Sequence, residues 1–288
     1  QKEEMDHYNI NPESFYSLCS SPTTNIYCNQ IFFDFKIVHH HLNFQGQKIV
    51  YKTFNEEKNI ERCLKSVTWA DEIVVVDSGS KDRTVELAKK YTGVVIHNDW
   101  EGFAAQKEFA LRNCSNDWVL SLDADEEVSE ELQKEIKQIL LKGGVADGFY
   151  IPRKTFFNGQ WIKSCGWYPG YQLRLFKKDK TSLTKRKVHE GFEVDGTRGH
   201  LKGDILHYTH FDLETTISKI NKYSTLEAEE KYLSKTALPI NFILNPVAAF
   251  IQHYFIRKGF TDGVNGLIIS ILHATTNLMT YMKMWELK

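Results

Sequence analysis

The chain has no Cys-x-x-Cys pair. Its five cysteines, Cys19, Cys28, Cys63, Cys114 and Cys165, are scattered over 288 residues, which argues against a clustered zinc or redox motif and leaves at least one thiol unpaired within a monomer. Such usage suits a reducing compartment. Gly-x-Gly-x-x-Gly is absent, as is Gly-x-x-x-x-Gly-Lys followed by Ser or Thr, so the usual dinucleotide and phosphate-cradling loops are excluded. An excess of one charge is also lacking: 36 Lys and Arg against 37 Asp and Glu give a net charge of -1, which leaves no global attraction to nucleic acid. The local exception is residues 174–187, with seven Lys or Arg against one Asp, a patch suited to an anionic acceptor or a membrane surface. No basic stretch followed by an apolar core and a small-residue cleavage site opens the sequence, so secretion is not expected. The longest apolar run, residues 266–282, only just reaches bilayer-spanning length and carries His273, Thr275, Thr276 and Asn277. It is expected to be a monolayer-embedded or buried helix rather than a span. There is no internal repeat or low-complexity tract.

What is present is the composition of a folded enzyme, 42% hydrophobic and 13% aromatic. Residues 1–46 stand apart: they have no sustained period, and His39-His40-His41 is followed by Leu-Asn-Phe-Gln-Gly. This leader is read either as the remnant of an affinity tag and protease site or as a native, loosely ordered extension. Three consecutive histidines cannot share one metal in regular structure, so no site is assigned there.

From Gln47 onward strand and helix patterns alternate. Residues 49–54 read as a strand interrupted by Lys52, after which Asn55 is expected to cap a helix whose Ile60, Cys63, Leu64 and Val67 share one face. Strands are expected at 72–77, 94–97 and up to Asp123, with helices at 82–91, 104–113 and 130–142, the last closed by Gly143-Gly144. This alternation implies a doubly wound, mostly parallel α/β sheet whose ligand site lies at the strands' carboxyl ends. Residues 147–208 are rich in Gly and aromatic residues and read as mixed strands and loops. An amphipathic helix is expected at 212–234, and two apolar helices at 240–285 broken between Gly259 and Gly266.

The strongest chemical signal is Val-Leu-Ser-Leu-Asp-Ala-Asp-Glu-Glu at 119–127. A buried strand that stops at Asp123 and Asp125 can hold a hard cation at the sheet edge, because carboxylate oxygens suit Mg²⁺ or Mn²⁺ and such ions bridge to diphosphates. Two other strands also end in polar chemistry, Thr53-Phe-Asn55-Glu-Glu57 and Asp77-Ser-Gly-Ser-Lys-Asp82. A parallel sheet would bring all three ends together, where carboxylates can accept from a ribose or base.

Four motifs taken jointly resemble those of inverting glycosyltransferases of family two. They are Thr-Phe-Asn-Glu-Glu at 53–57, Val-Val-Val-Asp-Ser-Gly-Ser-x-Asp-x-Thr at 74–84, Trp-x-Gly-Phe-x-x-Gln-Lys at 100–107 and Leu-Asp-Ala-Asp-Glu at 122–126. The order is most similar to that of bacterial lipopolysaccharide-core β-glucosyltransferases, over about residues 47–288. The resemblance implies a GT-A fold and a UDP-sugar donor. It implies that Thr53, Asn55 and Glu57 line the uracil and ribose pocket and that Asp77 accepts from base or ribose. By the same resemblance Asp125 is the main ligand of Mn²⁺ or Mg²⁺, Asp123 contacts the ribose or the ion through water, and Lys107 steadies the diphosphate. Lys52 departs from the family's apolar first strand and points to an irregular register there.

An inverting transfer needs a base for the acceptor hydroxyl. Glu190 is expected in that role, with His189 as orienter or acceptor contact; Asp147 and Glu193 are poorer candidates. His207 and His210 either reach the metal or phosphates or are structural. Arg174 is expected as an acceptor or phosphate contact, or in an outward salt bridge. Trp161, Trp167 and Tyr168 either stack on sugar faces or pack in a core, Trp167 being the candidate acceptor contact. Near the C-terminus Phe250, Ile251, Tyr254, Phe255 and Ile256 beside Arg257 and Lys258 suit an in-plane membrane helix, or packing between helices or in a dimer.

The expected organisation is therefore a leader at 1–46, a catalytic domain at 47–211 with a nucleotide half (47–127) and an acceptor half (128–211), and a helical region at 212–288. The expected activity is hexose transfer, glucose for preference, from a UDP-sugar to a lipopolysaccharide-core or other glycolipid acceptor. The expected location is the cytoplasmic face of a bacterial inner membrane, with no nucleic-acid partner and the oligomeric state open. Two alternatives are a sugar nucleotidyltransferase, disfavoured because no Gly-rich triphosphate loop follows the first strand, and a non-catalytic nucleotide-sugar-binding module.

Overall fold

The structure, a computed structural model, describes residues 47–114, 117–143, 145–184, 191–209 and 213–288. Apolar runs and amphipathic segments alternate into β1 (Gln47–Thr53), α1 (Ile60–Lys65), β2 (Glu72–Asp77), α2 (Thr84–Ala88), β3 (Val94–His97), α3 (Phe103–Arg112) and β4 (Trp118–Asp123). Then come β5 (Glu126–Val128), α4 (Glu130–Leu141), β6 (Gly148–Ile151), β7 (Arg153–Phe157) and β8 (Gln160–Trp161). The strands β9 (Gln172–Lys177), β10 (Thr181–Leu183), β11 (Phe192–Val194), β12 (Arg198–His200) and β13 (Ile205–Thr209) complete the mixed region.

Among the described residues, seven strands form the main sheet in the order β12-β6-β9-β4-β1-β2-β3. The four strands β4-β1-β2-β3 run parallel, and β9 is antiparallel to both β4 and β6. β1 therefore lies at the centre of the parallel half. Its register runs without a break from Lys48↔Glu72 to Thr53↔Asp77 on one side and from Gln47↔Trp118 to Lys52↔Asp123 on the other. Lys52 does not disturb the pairing, because both neighbours fix the backbone over its full length.

Helices cover the parallel half on both faces. Ile60, Cys63 and Leu64 of α1 and Leu132 and Ile136 of α4 pack on Ile49, Val75, Leu120 and Leu122, while Ala110 of α3 packs with Val74, Val76, Val119, Phe176 and Val194 on the other face. Burial on both faces explains why β2 and β4 read as continuous apolar runs rather than alternating ones. Each fully buried Leu or Ile contributes about 1.5–3 kcal/mol. The start of α4 follows local rules, since Ser129 Oγ accepts from Leu132 N–H (3.2 Å) with Glu130 and Glu131 in the first turn.

The start of α1 departs from expectation. Asn55 is not its cap: the helix begins at Ile60, and the amide of Asn59 at the cap position donates to Glu56 and accepts from Arg62 instead of capping. The helix expected at 82–91 shortens to α2, because Asp82 accepts from the Thr84 N–H (3.0 Å) and ties the preceding chain into a turn.

A second sheet, β5-β13-β7-β8, leans on the first. β13 pairs antiparallel with β5, His207 opposite Glu126, and parallel with β7, His207 opposite Thr155. The chain ends in α5 (Leu213–Tyr232), α6 (Asn241–Ile251), a π-helical turn (Gln252–Ile256) and α7 (Gly263–Glu286). Gly266 lets α7 pack against the 3₁₀ turn Gly259–Asp262, since a Cβ on it would overlap the Gly259 carbonyl. Among the described residues no helix is long and apolar enough to cross a membrane.

The aromatic loop is strapped to these helices. Asp262 Oδ2 accepts from Lys163 N–H (3.0 Å), Ser164 N–H (2.8 Å) and Ser164 Oγ (2.6 Å), and Cys165 N–H donates to the Arg257 carbonyl (2.9 Å). Here the rings of His253 and His273 stack with centroids 3.7 Å apart. Burial first, then the neighbouring His253 and Arg257, pull the His273 pKa down to about 4; burial also lowers that of His253.

Candidate active site

The parallel register delivers the three polar strand ends to one edge. Thr53 and Asp77 are paired across β1 and β2, and Asp123 sits opposite Lys52. Thr53 is buried, and its hydroxyl has no hydrogen-bond partner among the described residues, an unsatisfied group that a ligand can satisfy. Asp77 is also buried. Its Oδ2 accepts from the N–H groups of Gly79 and Ser80 (both 2.9 Å) and its Oδ1 from Ser80 Oγ. The turn needs Gly79 at φ 89°, a conformation other residues rarely adopt.

Asn55 and Glu57, expected to line a uracil and ribose pocket, are exposed and bind the neighbouring strand's loop. Asn55 N–H donates to Ser80 Oγ (2.8 Å) while its Oδ1 accepts from Lys81 N–H (2.9 Å). Glu57 N–H donates to Asp82 Oδ2 (3.1 Å) while its Oε2 accepts from Arg83 N–H (3.2 Å). Asn55 reaches this position at φ 54°, which asparagine tolerates. Each bond contributes about 0.5–1.5 kcal/mol, so the reciprocal set fixes the rim of the site. Glu56 turns to the acidic edge: burial raises its pKa, the Asn59 hydrogen bond opposes, and the charges of Asp125 and Asp123 raise it further.

Two residues of the motifs, given no role by sequence reasoning, hold the edge from below. Gln106 is fully buried, and its Nε2 donates toward Ser78 Oγ (2.9 Å) and the Asn98 carbonyl (2.8 Å), while its Oε1 accepts from Asn98 Nδ2 (2.7 Å). It joins the loops after β2 and β3. Glu126 is 0% exposed; its Oε2 accepts from Asp123 N–H (2.9 Å) and its Oε1 from Arg174 Nη2 (2.8 Å). Arg174 also donates to Asp123 Oδ2 (2.8 Å). Burial pushes the Glu126 pKa up, Arg174 pulls it down, and Asp123 raises it again. Their signal was present, a carboxylate directly after Asp-x-Asp and an arginine inside an apolar strand, but pairing across 48 residues could not be read from spacing.

Arg174 is therefore neither an outward salt bridge nor, at 6% exposure, an open acceptor contact. It neutralises the carboxylates beneath the edge. Two described lysines of the basic segment are also used internally, Lys177 Nζ donating to Asp147 Oδ1 (2.9 Å) and Lys178 Nζ to the Cys114 carbonyl, while Lys185, Arg186 and Lys187 lie outside the described residues. Asp147 is held ionised, with a pKa of about 2, by that Lys177 bond and the bonds from Thr197. Trp167 is half-buried, donates to His273 Nε2 (3.3 Å) and meets Phe157 edge-on at 5.9 Å. It belongs to the packing between loop and helices. Lys107 lies on α3 with Nζ 5.8 Å from the Phe192 ring centroid and lines a narrow cleft with Ser121, Asp123 and Phe192. Glu190, His189 and His210 lie outside the described residues.

Asp125 and His207 form the remaining pair. Asp125 Oδ2 lies 3.3 Å from His207 Nε2, and the other ring nitrogen of His207 lies 3.4 Å from Thr155 Oγ1. Donor atoms about 3 Å apart suit neighbouring positions on an octahedral cation with bonds near 2.1–2.2 Å. Among the described residues no three His, Cys, Asp or Glu side chains converge on such a position. Asp123, expected beside Asp125 at the ion, has one carboxylate oxygen occupied by Arg174.

A mixed α/β sheet with a parallel half, followed by C-terminal helices, is the architecture of the GT-A type of glycosyltransferase. The profile of glycosyl transferase family 2 matches residues 48–193, half of the chain, and the chain belongs to that family and is a glycosyltransferase. It is 30% identical over 240 residues to the lipopolysaccharide core biosynthesis glycosyltransferase LpsC of Rhizobium meliloti, covering 81% of this chain and 89% of that one. It is 33% identical over 261 residues to an uncharacterized glycosyltransferase of Rickettsia typhi, covering 82% and 85%. Among solved structures, S. aureus TarS 1-349 in complex with UDP-GlcNAc aligns with a TM-score of 0.46 at 14% identity, over 84% of this chain and 91% of that one.

Proposed function

We propose that the protein is a metal-dependent inverting hexosyltransferase that moves a hexose, for preference glucose, from a UDP-sugar to a lipopolysaccharide-core or other glycolipid acceptor. The reading places it at the cytoplasmic face of a bacterial inner membrane. The observation that carries it is the meeting of Thr53, Asp77, Asp123 and Asp125 at one sheet edge. Likeness to LpsC supports the acceptor class. In this reading residues 47–127 carry the donor, 128–211 the acceptor, and 212–288 the approach to the membrane.

Asp125 and His207 would hold Mn²⁺ or Mg²⁺, which neutralises charge on the departing diphosphate when bound. The chain's own groups do the rest. Thr53 and Asp77 receive the nucleoside, Lys107 flanks the diphosphate, and Arg174 with Glu126 keeps the Asp123 carboxylate fixed at the edge. Glu190 takes the proton of the acceptor hydroxyl as that oxygen bonds the anomeric carbon and the bond from that carbon to the phosphate oxygen breaks. His189 orients the pair. This single displacement inverts the anomeric centre.

Glu190→Gln is the test. With UDP-glucose and a core-saccharide acceptor, turnover should fall about a thousandfold while UDP affinity stays within about twofold. Unchanged turnover removes Glu190 from the role of base.

A further inference from the structure

Helix α6 and its π-helical extension carry a stripe of large apolar side chains that no described residue covers. Ile240, Ile243, Leu244, Val247 and Ile251 recur at helical spacing, and Phe255 and Ile256 continue the stripe; each is 44–72% exposed. The opposite side is docked. Ala249 and His253 are buried, Phe242 meets Trp285 edge-on at 5.9 Å, and His253 stacks on His273. Leu238, Phe260 and Val264 lie just beyond the stripe and are exposed as well. Single exposed apolar residues are ordinary, but a continuous row marks a contact surface.

The charges around the stripe choose the partner. Between Glu230 and Asp262 there is no acidic residue, and the four basic ones, Lys231, Lys235, Arg257 and Lys258, fall at its two ends. Lys231 is paired with Glu227 within α5 (2.7 Å), while Lys235, Arg257 and Lys258 are exposed. A second copy docked face to face would oppose like charges. A layer of anionic headgroups over acyl chains complements both the basic ends and the apolar row.

We propose that the α6 stripe lies flat in an anionic lipid surface, with Lys235 and Lys258 at the headgroups and Ile243, Val247 and Phe255 at the acyl boundary. This inference rests on the peripheral location given above and deepens it by naming the face and the lipid chemistry; it does not depend on the transfer reaction.

The test uses the full chain and co-sedimentation with vesicles of phosphatidylcholine, or of phosphatidylcholine mixed with phosphatidylglycerol. The wild type should partition to the mixed vesicles at least about tenfold more strongly than to phosphatidylcholine alone. Ile243→Glu/Phe255→Glu should lower partition to the mixed vesicles at least about tenfold with an unchanged melting temperature. Lys235→Gln/Lys258→Gln should erase only the preference for the anionic vesicles. Wild-type protein left in the supernatant overturns the proposal, as does undiminished binding by both variants. So does a dimer, seen by light scattering, that Ile243→Glu/Phe255→Glu dissolves. UDP titration of the same variants reports the donor site separately, so loss of vesicle binding and failure of the transferase reading are told apart.

Discussion

At the ends of β1, β2 and β4 polar side chains are buried and bonded to one another, whereas on α6 large apolar side chains stand in the open. Both regions invert the ordinary distribution of side chains. At the sheet edge the inversion is largely compensated, the Thr53 hydroxyl and Arg174 Nε excepted: Glu126 has Arg174 and the Asp123 N–H, and Gln106 has Ser78 and Asn98. On α6 nothing described compensates it. Compensated burial makes a rigid edge, and uncompensated exposure makes a surface for something outside the chain.

The comparison is broken most severely at Arg174. Arg174→Met leaves the buried Glu126 with only the more distant Arg153 (3.6 Å) as counter-charge, which should destabilise the fold by about 3 kcal/mol in urea denaturation. Arg174→Met/Glu126→Leu should return most of that stability but not turnover, because the Asp123 carboxylate is no longer held. Full activity in the double variant would reduce the ion pair to a packing feature.

A smaller effect is expected where the helices meet the aromatic loop. The folded His273 pKa of about 4 lies below its ordinary value of 6.5, so between those values the unfolded chain binds more protons than the folded one. Stability from this group is complete above pH 6.5 and is lost as pH falls toward 4, by about 2–3 kcal/mol. Melting temperature followed across that window should fall less steeply for His273→Asn than for the wild type. Parallel curves would contradict the buried neutral pair.

The smallest effect belongs to the open stripe. Ile243→Glu should change unfolding free energy by less than about 0.5 kcal/mol, since the side chain is 63% exposed. A loss of several kcal/mol would mean that the stripe is covered by this chain after all.

What the sequence disclosed follows the same division. The strands at 72–77 and 94–97 were legible to the residue because both are short apolar runs bounded by polar turns. Asp123 and Asp125 end an apolar run at the same sheet edge as Thr53 and Asp77, and calorimetric titration tests the role assigned to them. The work of Asn55 and Glu57 was hidden, since their partners lie 25 and 26 residues away on a loop that only strand pairing brings near. Glu126 and Gln106 were hidden for the same reason. Trp167 left two uses open, and its bond to His273, 106 residues away, could not be read from spacing. The exposed row on α6 begins upstream of the 250–258 segment singled out in the sequence and includes that segment's Ile251, Phe255 and Ile256. Phe250 and Tyr254 in fact stack on one another and are half-buried.

The most direct test is calorimetric titration of UDP and UDP-glucose, with and without Mn²⁺, into the wild type and Asp125→Ala. The account predicts binding that Mn²⁺ strengthens in the wild type and that Asp125→Ala reduces at least about tenfold. Binding that is equal in both proteins and indifferent to the ion would contradict it.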